Sequence, residues 1–133
     1  MEFLGSKSKP QNDRKPSTKK VGDAAENAAL EYLLDHGLRL VVRNYRTPGR
    51  GGGEIDLIMR APDGTLVFVE VRKRASGTYG GAAGSVSFAK QRRIIFATRF
   101  YLMGLANLPP CRFDVIAVEP TGMQWLQAAF DAG

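Results

Sequence analysis

The segment from Gly53 to Lys73 constrains the fold of this chain more than any other part of the sequence. It contains two short apolar runs separated by Ala-Pro-Asp-Gly-Thr at 61–65, and Pro and Asp-Gly are typical of a tight turn between strands. The pattern therefore predicts a β-hairpin. Each run also contains one carboxylate among apolar neighbours, Asp56 in the first and Glu70 in the second.

These two acids sit where a carboxylate is unfavourable unless it is paired with a positive charge or binds a cation. Because side chains alternate between the faces of a strand, we expect Glu70 and Arg72 on the same face, about 6–7 Å apart. An acid on each of two paired strands, with a cation beside one of them, predicts a site for a divalent metal. A pair of structural salt bridges is the alternative interpretation.

The length of 133 residues supports a single domain. We expect a disordered basic tail at 1–20, the folded domain at 21–127 and a C-terminal tail at 128–133. The first 20 residues lack the apolar segment of a secretory signal, and no apolar run approaches the ~20 residues that span a bilayer. Cys111 is the single cysteine in the sequence, so no intrachain disulfide can form. The cytoplasm is therefore the predicted location.

Most of the net charge of +6 comes from the first 20 residues, which hold six basic and two acidic side chains. Such tails attach loosely to nucleic acid or keep a protein soluble. Within the domain, basic residues cluster at 39–50, 72–74 and 90–99, which suits an anionic polymer. Solvated surfaces are the alternative for each cluster. The predicted nucleic-acid contacts are Arg43, Arg46, Arg50, Lys73, Arg74 and Arg92.

A first helix is predicted from Ser17 or Asp23 to about His36, before a glycine suited to a helix end. Its apolar residues form one stripe, and Glu26 lies at the edge of that stripe, where it can lean toward the sheet. An exposed position on the helix surface is the alternative for this acid.

A second helix is predicted from Ser85 or Ser87 to about Leu105, with Lys90 at the start of its inward-facing stripe. The predicted order of elements is α-β-β-β-α-β, with a fifth strand as a further option. A helix between the third and fourth strands implies a crossover. The predicted fold is therefore α/β, with a mixed central sheet flanked by helices.

Several segments, in this order, resemble the bacterial YraN-like family. They are Gly-Asp-Ala-Ala-Glu at 22–26, Arg-Asn-Tyr-Arg at 43–46, Gly-Glu-Ile-Asp-Leu-Ile at 53–58, Phe-Val-Glu-Val-Arg at 68–72, the helix with Lys90, and Arg-Phe-Asp-Val at 112–115. The family is placed in the PD-(D/E)XK nuclease superfamily, near the archaeal Holliday junction resolvases. The resemblance covers roughly residues 21–120 and implies a restriction-endonuclease-like αβββαβ core.

The resemblance also implies roles for individual residues. Asp56 matches the first acid of the superfamily motif, and Glu70 matches the acid of Glu-x-Lys. Glu26 matches the acid on the first helix of the resolvase branch, and the Val71 carbonyl would be a main-chain ligand. The implied metal ligands are thus Asp56, Glu70, Val71 and Glu26.

Position 72 departs from that pattern, because the lysine of the superfamily is Arg72 here. Arginine stays protonated and cannot act as a base, although it can orient water or clamp a phosphate oxygen. Lys73 faces the other side of the strand. We therefore predict that Lys90 supplies the missing lysine, provided that the second helix packs over the acidic face of the hairpin.

The function implied by the resemblance is metal-dependent cleavage of the DNA phosphodiester backbone, with branched or nicked DNA as candidate substrates. Because resolvase-like enzymes need two active sites to cut two strands, a homodimer is also implied. Arg72 favours an alternative, a nucleic-acid-binding module of the same fold that is catalytically weak or inactive. A protein-interaction role in DNA repair or uptake is a third hypothesis. No membrane partner is expected.

Overall fold

The computed structural model describes residues 18–75 and 86–132. Within these ranges the chain forms two helices and five strands. In chain order they are α1 (Thr18–Asp35), β1 (Arg39–Arg46), β2 (Glu54–Arg60), β3 (Leu66–Lys73), α2 (Phe88–Leu102), β4 (Cys111–Glu119) and β5 (Gly122–Phe130). The predicted αβββαβ order is confirmed, and the fifth strand follows it.

The five strands form one mixed sheet in the order β1-β2-β3-β4-β5. The β3–β4 pair is parallel and the other three pairs are antiparallel. A parallel pair requires a crossover connection, and α2 lies within that connection. The predicted hairpin is confirmed: β2 and β3 are joined by a turn closed by the Ala61 N–H, which donates to the Thr65 carbonyl at 2.9 Å.

The two helices cover opposite faces of the sheet, as the alternation of side chains along the strands requires. On one face, Ala29 and Leu33 of α1 pack with Leu57, Met59, Val67 and Val69. On the other face, Ile94 and Ala97 of α2 pack with Ile55, Ile58, Phe68 and Val115. Both apolar layers are buried, so the central strands β2, β3 and β4 are covered on both sides.

The element boundaries refine the sequence prediction at four places. Helix α1 begins at Thr18, inside the predicted tail, whereas Ser17 and the rest of that tail lie outside the described residues. Ser87 is the N-cap of α2, and the other candidate, Ser85, also lies outside them. Strand β5 continues to Phe130, past the predicted domain end at 127, because its terminal residues still pair with β4.

Helix α2 ends at Leu102, three residues before the predicted end. The Met103 N–H donates to the Arg99 carbonyl at 3.1 Å, and Gly104 donates to the Tyr101 carbonyl at 3.1 Å. This tightening of the last turn closes the helix ahead of Asn-Leu-Pro-Pro at 107–110. Neither helix of the described chain is long and apolar enough to cross a membrane.

Candidate metal and nucleic-acid site

The two acids of the hairpin adjoin each other where β2 and β3 stop pairing. The ladder between these strands ends at Leu57 and Val69, and the next residue along each strand is Asp56 or Glu70. The Val71 N–H donates to Oδ2 of Asp56 at 2.8 Å. The carboxylate of Asp56 therefore accepts a hydrogen bond from β3 just beyond the end of the backbone ladder. This hydrogen bond holds the Asp56 side chain beside Glu70.

Two cations contact Glu70, whose side chain is 3% exposed. Arg72 Nη1 lies 3.6 Å from Glu70 Oε2, and Lys90 Nζ lies 3.8 Å from the same oxygen. Arg72 comes from the same face of β3, as predicted, whereas Lys90 comes from the first turn of α2. The other oxygen of Glu70, Oε1, is buried without a hydrogen-bond partner.

The start of α2 is held by a hydrogen bond that the sequence predicted. Oγ of Ser87 accepts from the Lys90 N–H at 3.1 Å, which fixes the backbone of Lys90 in the first helical turn. The lysine side chain is 25% exposed, so its ammonium is only partly withdrawn from solvent.

Close approach of α2 to the start of β2 depends on Gly53. A Cβ at this position would lie 2.0 Å from the carbonyl oxygen of Arg93, so any side chain would push the helix away. The glycine is held in turn by Thr47, whose backbone N–H donates to the Gly53 carbonyl at 3.1 Å and whose Oγ1 accepts from the Gly53 N–H at 2.9 Å. The loop therefore sets the position of α2 relative to the acids.

The protonation of the two acids is shifted by their surroundings. Burial, followed by the negative charge of Asp56, raises the pKa of Glu70 from an ordinary 4.5 to about 8, although Lys90 and Arg72 act in the opposite direction. Burial also raises the pKa of Asp56, against the hydrogen bond from Val71 that lowers it. Ionising both of these adjoining acids is unfavourable, and a bound cation would reduce that cost.

Glu26 lies near this pair but is bound to a different partner. Its Oε1 lies 3.5 Å from Nε of Arg43, whose Nη2 also donates to Oδ1 of Asn27 at 2.6 Å. Burial, followed by the charge of Asp56, raises the pKa of Glu26. Across residues 18–75 and 86–132, no three His, Cys, Asp or Glu side chains are grouped as a metal site. Glu26 is thus an electrostatic neighbour of the acid pair.

The predicted nucleic-acid contacts include residues that are exposed to solvent and residues that are buried or half-buried in ion pairs. Four of the six are exposed, and they are Arg46, Arg50, Lys73 and Arg92. Arg46 also lies 3.8 Å from Glu54. Arg43 is half-buried in its ion pair with Glu26.

Arg74, the last of the six, lies inside the fold. It is buried, with its Nε 3.9 Å from Oε2 of Glu119, because the end of β3 lies beside the end of β4. A side chain directed into this contact does not face a surface ligand. Its place in the basic cluster at 72–74 was a property of the sequence alone.

Asp114 has a structural role, because its carboxylate bonds to groups of both β4 and β5. It is fully buried, and its carboxylate accepts from Nε of Arg112 at 3.0 Å, from Nε1 of Trp125 at 2.9 Å and from the Ala128 N–H at 2.9 Å. These bonds occupy both oxygens and tie β5 to β4. Asp114 is therefore not a candidate ligand for a metal at Asp56 and Glu70.

The aromatic residues on the outer side of α2 were not among the predicted functional residues. Phe88, Phe96 and Phe100 are exposed, whereas the inward stripe contains Ile94 and Ala97. The indication in the sequence was that these phenylalanines fall outside the apolar stripe, at positions where a helix normally carries polar side chains.

Fold and site together define an α/β protein with a mixed five-stranded sheet, in which a central hairpin carries two adjoining acids that a lysine from the crossover helix contacts. Comparison with known proteins places the chain within one family. The chain belongs to the family described as Uncharacterised protein family UPF0102, whose profile matches residues 25–118. This confirms the resemblance to the YraN-like family.

Related proteins cover nearly the whole chain. A UPF0102 protein of Albidiferax ferrireducens is 68% identical over 116 residues, which are 87% of this chain and 91% of the relative. One from Paracidovorax citrulli is 63% identical over 120 residues, or 90% of this chain and 89% of the relative. One from an Acidovorax species is 57% identical over 134 aligned residues, covering 99% of each chain.

Proposed function

We propose that this protein is a metal-dependent nuclease that cleaves the phosphodiester backbone of DNA. The observation that carries the proposal is the pairing of Asp56 and Glu70 at the end of the β2–β3 ladder, with Lys90 and Arg72 both directed at Glu70. Acids with raised pKa values beside a lysine are typical of functional sites rather than of simple surface ion pairs. Membership of the PD-(D/E)XK superfamily, with its restriction-endonuclease-like fold, is part of this proposal.

The donor set fits Mg²⁺ or Mn²⁺. Glu70 has a buried oxygen, Oε1, without a hydrogen-bond partner, and burial raises the pKa of both Glu70 and Asp56, so a bound divalent cation would favour their ionised forms. Asp56 and Glu70 would hold the metal together with the carbonyl of Val71. Glu26 of α1 would place a third carboxylate near the metal. When bound, the metal would supply an activated water and stabilise charge on the scissile phosphate.

The protein's own cations would complete the site. The Lys90 ammonium, at 3.8 Å from Glu70, would donate to a water or a phosphate oxygen near the acids. Arg72 would clamp phosphate through the planar fork of N–H donors on its guanidinium. Its side chain is 40% exposed and therefore accessible to a ligand.

DNA is the proposed substrate, with branched or nicked forms as the first candidates and a homodimer as the candidate assembly. Exposed Arg46, Arg50, Lys73 and Arg92 suit contacts with phosphates, which supply most of the affinity of proteins for DNA. These contacts position the backbone and imply no base preference.

The test is incubation of linear, nicked and four-way-junction DNA with Mg²⁺ or Mn²⁺. Wild type should cleave at least one substrate, and Asp56→Asn should lose that cleavage because it removes a negative ligand. Glu31→Gln is the matched control, since it removes one negative charge from an exposed position of α1. Cleavage that survives Asp56→Asn would place the activity at another site or in a contaminant.

A second candidate function is a nucleic-acid-binding module without efficient catalysis. It is favoured by Arg72 at the position of the superfamily lysine, and by the pairing of Glu26 with Arg43. In the same assay this function predicts salt-dependent binding of DNA without cleavage under either metal.

A further inference from the structure

The outer side of α2 presents aromatic rings to solvent. The side chains of Phe88, Phe96 and Phe100 are 73%, 54% and 41% exposed. Large aromatic residues left in water along one helix mark an interaction surface, because burying their rings against a ligand is favourable. The inward side of the same helix contacts the core through Ile94 and Ala97, so these rings lie outside that contact.

A groove with a volume of about 820 Å³ runs beside two of these rings. Phe88 and Phe96 line it, together with Arg92, Arg93 and Arg99. The guanidinium carbon of Arg92 lies 5.8 Å from the centroid of the Phe88 ring, a cation–π distance. Aromatic faces and guanidinium groups are therefore interleaved along the groove.

The positive charge of the groove indicates which kind of ligand it can bind. Helix α2 contains four basic residues and no acid, and Asp131 is the one acid among the residues that line the groove. A second copy of the chain, docked through the same face, would oppose these positive charges to each other. The ligand that fits is anionic and carries flat rings.

An unpaired nucleic-acid strand has both properties. Its phosphates suit the arginines, and its free bases can stack on phenyl rings, which is how many proteins bind single strands. The bases of a duplex are stacked inside it, so a duplex would leave Phe88 and Phe96 without partners.

The groove also leads toward the acids. A second depression, of about 370 Å³, shares Gly51, Gly52 and Arg93 with it and is lined by Glu54. Glu54 is the first residue of β2, two positions before Asp56. A strand that follows this path would pass from α2 to the start of the strand that carries the first acid.

We propose that the groove lined by Phe88, Arg92, Arg93, Phe96 and Arg99 binds an unpaired nucleic-acid strand, with bases stacked on the phenyl rings and phosphates paired with the arginines. For its ligand class this inference rests on the proposed function, but it requires neither metal nor cleavage. Unpaired flaps or gaps next to a duplex are then the substrate features that this protein recognises.

The test measures fluorescence anisotropy of a labelled oligothymidylate of about 16 nucleotides with the full chain in EDTA. A blunt duplex of equal length is the comparison. Phe96→Ala and Phe88→Ala should each weaken binding of the single strand about tenfold, and Phe96→Trp should retain it, because stacking is lost in the first two and kept in the third. Arg92→Gln should lower the salt slope by about 0.7.

Leu108→Ala is the matched control, since Leu108 is 75% exposed and does not line the groove. Because EDTA removes divalent metal, this assay reports binding without cleavage, which keeps its result separate from any outcome of the cleavage assay. The inference is overturned if Phe96→Ala and Phe88→Ala bind like Leu108→Ala, or if the duplex binds as tightly as the single strand. It is equally overturned if sedimentation shows that these variants break a dimer while oligothymidylate binding is unchanged.

Discussion

The Lys90 ammonium lies 3.8 Å from Oε2 of Glu70, although the two residues belong to different elements, α2 and β3. Arg72 reaches the same oxygen from β3 itself, at 3.6 Å. One carboxylate oxygen therefore has two cations, one from its own strand and one from the crossover helix.

Lys90→Ala should lower DNA cleavage about 100-fold or more, since loss of a group that donates in the transition state has an effect of that size. If Lys90 replaces the superfamily lysine, the double variant Lys90→Ala with Arg72→Lys should recover part of the activity, because both cations approach the same oxygen of Glu70. Rates under single-turnover conditions provide the measurement.

Arg39→Ala is the control for this pair, because it removes one exposed positive charge from the edge strand β1 and should leave the cleavage rate near that of wild type. Undiminished cleavage by Lys90→Ala would contradict the role assigned to the lysine.

Without added metal, stability should fall as pH rises from about 5 to about 8. Glu70 ionises near 4.5 in the unfolded chain, but its pKa is about 8 in the folded protein. Between these values the folded state binds more protons, so raising the pH favours unfolding. Glu70→Gln cannot ionise and should be more stable than wild type at pH 8 by at least about 1 kcal/mol, with little difference at pH 5.

Urea unfolding in EDTA at both pH values measures this effect. Glu54→Gln should keep the pH profile of wild type, since Glu54 lies in a partly exposed ion pair with Arg46. A wild-type profile that matches that of Glu70→Gln would show that the buried carboxyl does not titrate in this range.

Mg²⁺ or Mn²⁺ should stabilise the folded protein more at pH 8 than at pH 5, because the metal binds ionised carboxylates and competes with protons for them. At a concentration well above the Kd, the melting temperature at pH 8 should rise by about 3 °C or more. Asp56→Asn should lose most of this rise. Equal metal-induced shifts in wild type and Asp56→Asn would place the metal elsewhere.

Gly53→Ala should destabilise the fold by about 1–3 kcal/mol and reduce cleavage. The new Cβ would lie 2.0 Å from the Arg93 carbonyl oxygen, a backbone atom, so α2 must move and carry Lys90 with it. Gly104→Ala is the control, because its Cβ would lie at an ordinary 3.6 Å from the Tyr101 carbonyl oxygen. Urea midpoints within error of each other for the two variants would contradict this account.

The local parts of the fold were predictable from sequence. The Pro and Asp-Gly turn predicted the hairpin, and apolar periodicity predicted which side of each helix faces the sheet. The start of α2 was predicted at Ser85 or Ser87, and Ser87 is its N-cap. The adjacency of Asp56 and Glu70 also followed, since strand pairing brings residues at equal distances from a turn together. All of these depend on neighbours within one element or one turn.

Other features were decided only by packing. Arg43 pairs with Glu26 and Arg74 pairs with Glu119, although the sequence placed both arginines in basic clusters without an acidic partner. The exposure of Phe88 and Phe96 was likewise not predicted, although both residues lie outside the apolar stripe of α2.

Sequence by itself thus determined the order of the elements, the hairpin and the positions of its two acids, because these depend on periodicity and turn chemistry. Tertiary structure decided that Lys90 meets Glu70, because that contact requires α2 to pack against the start of β2, where Gly53 leaves room for it. It also decided the raised pKa of Glu70, since burial and the charge of Asp56 act through space and not along the chain.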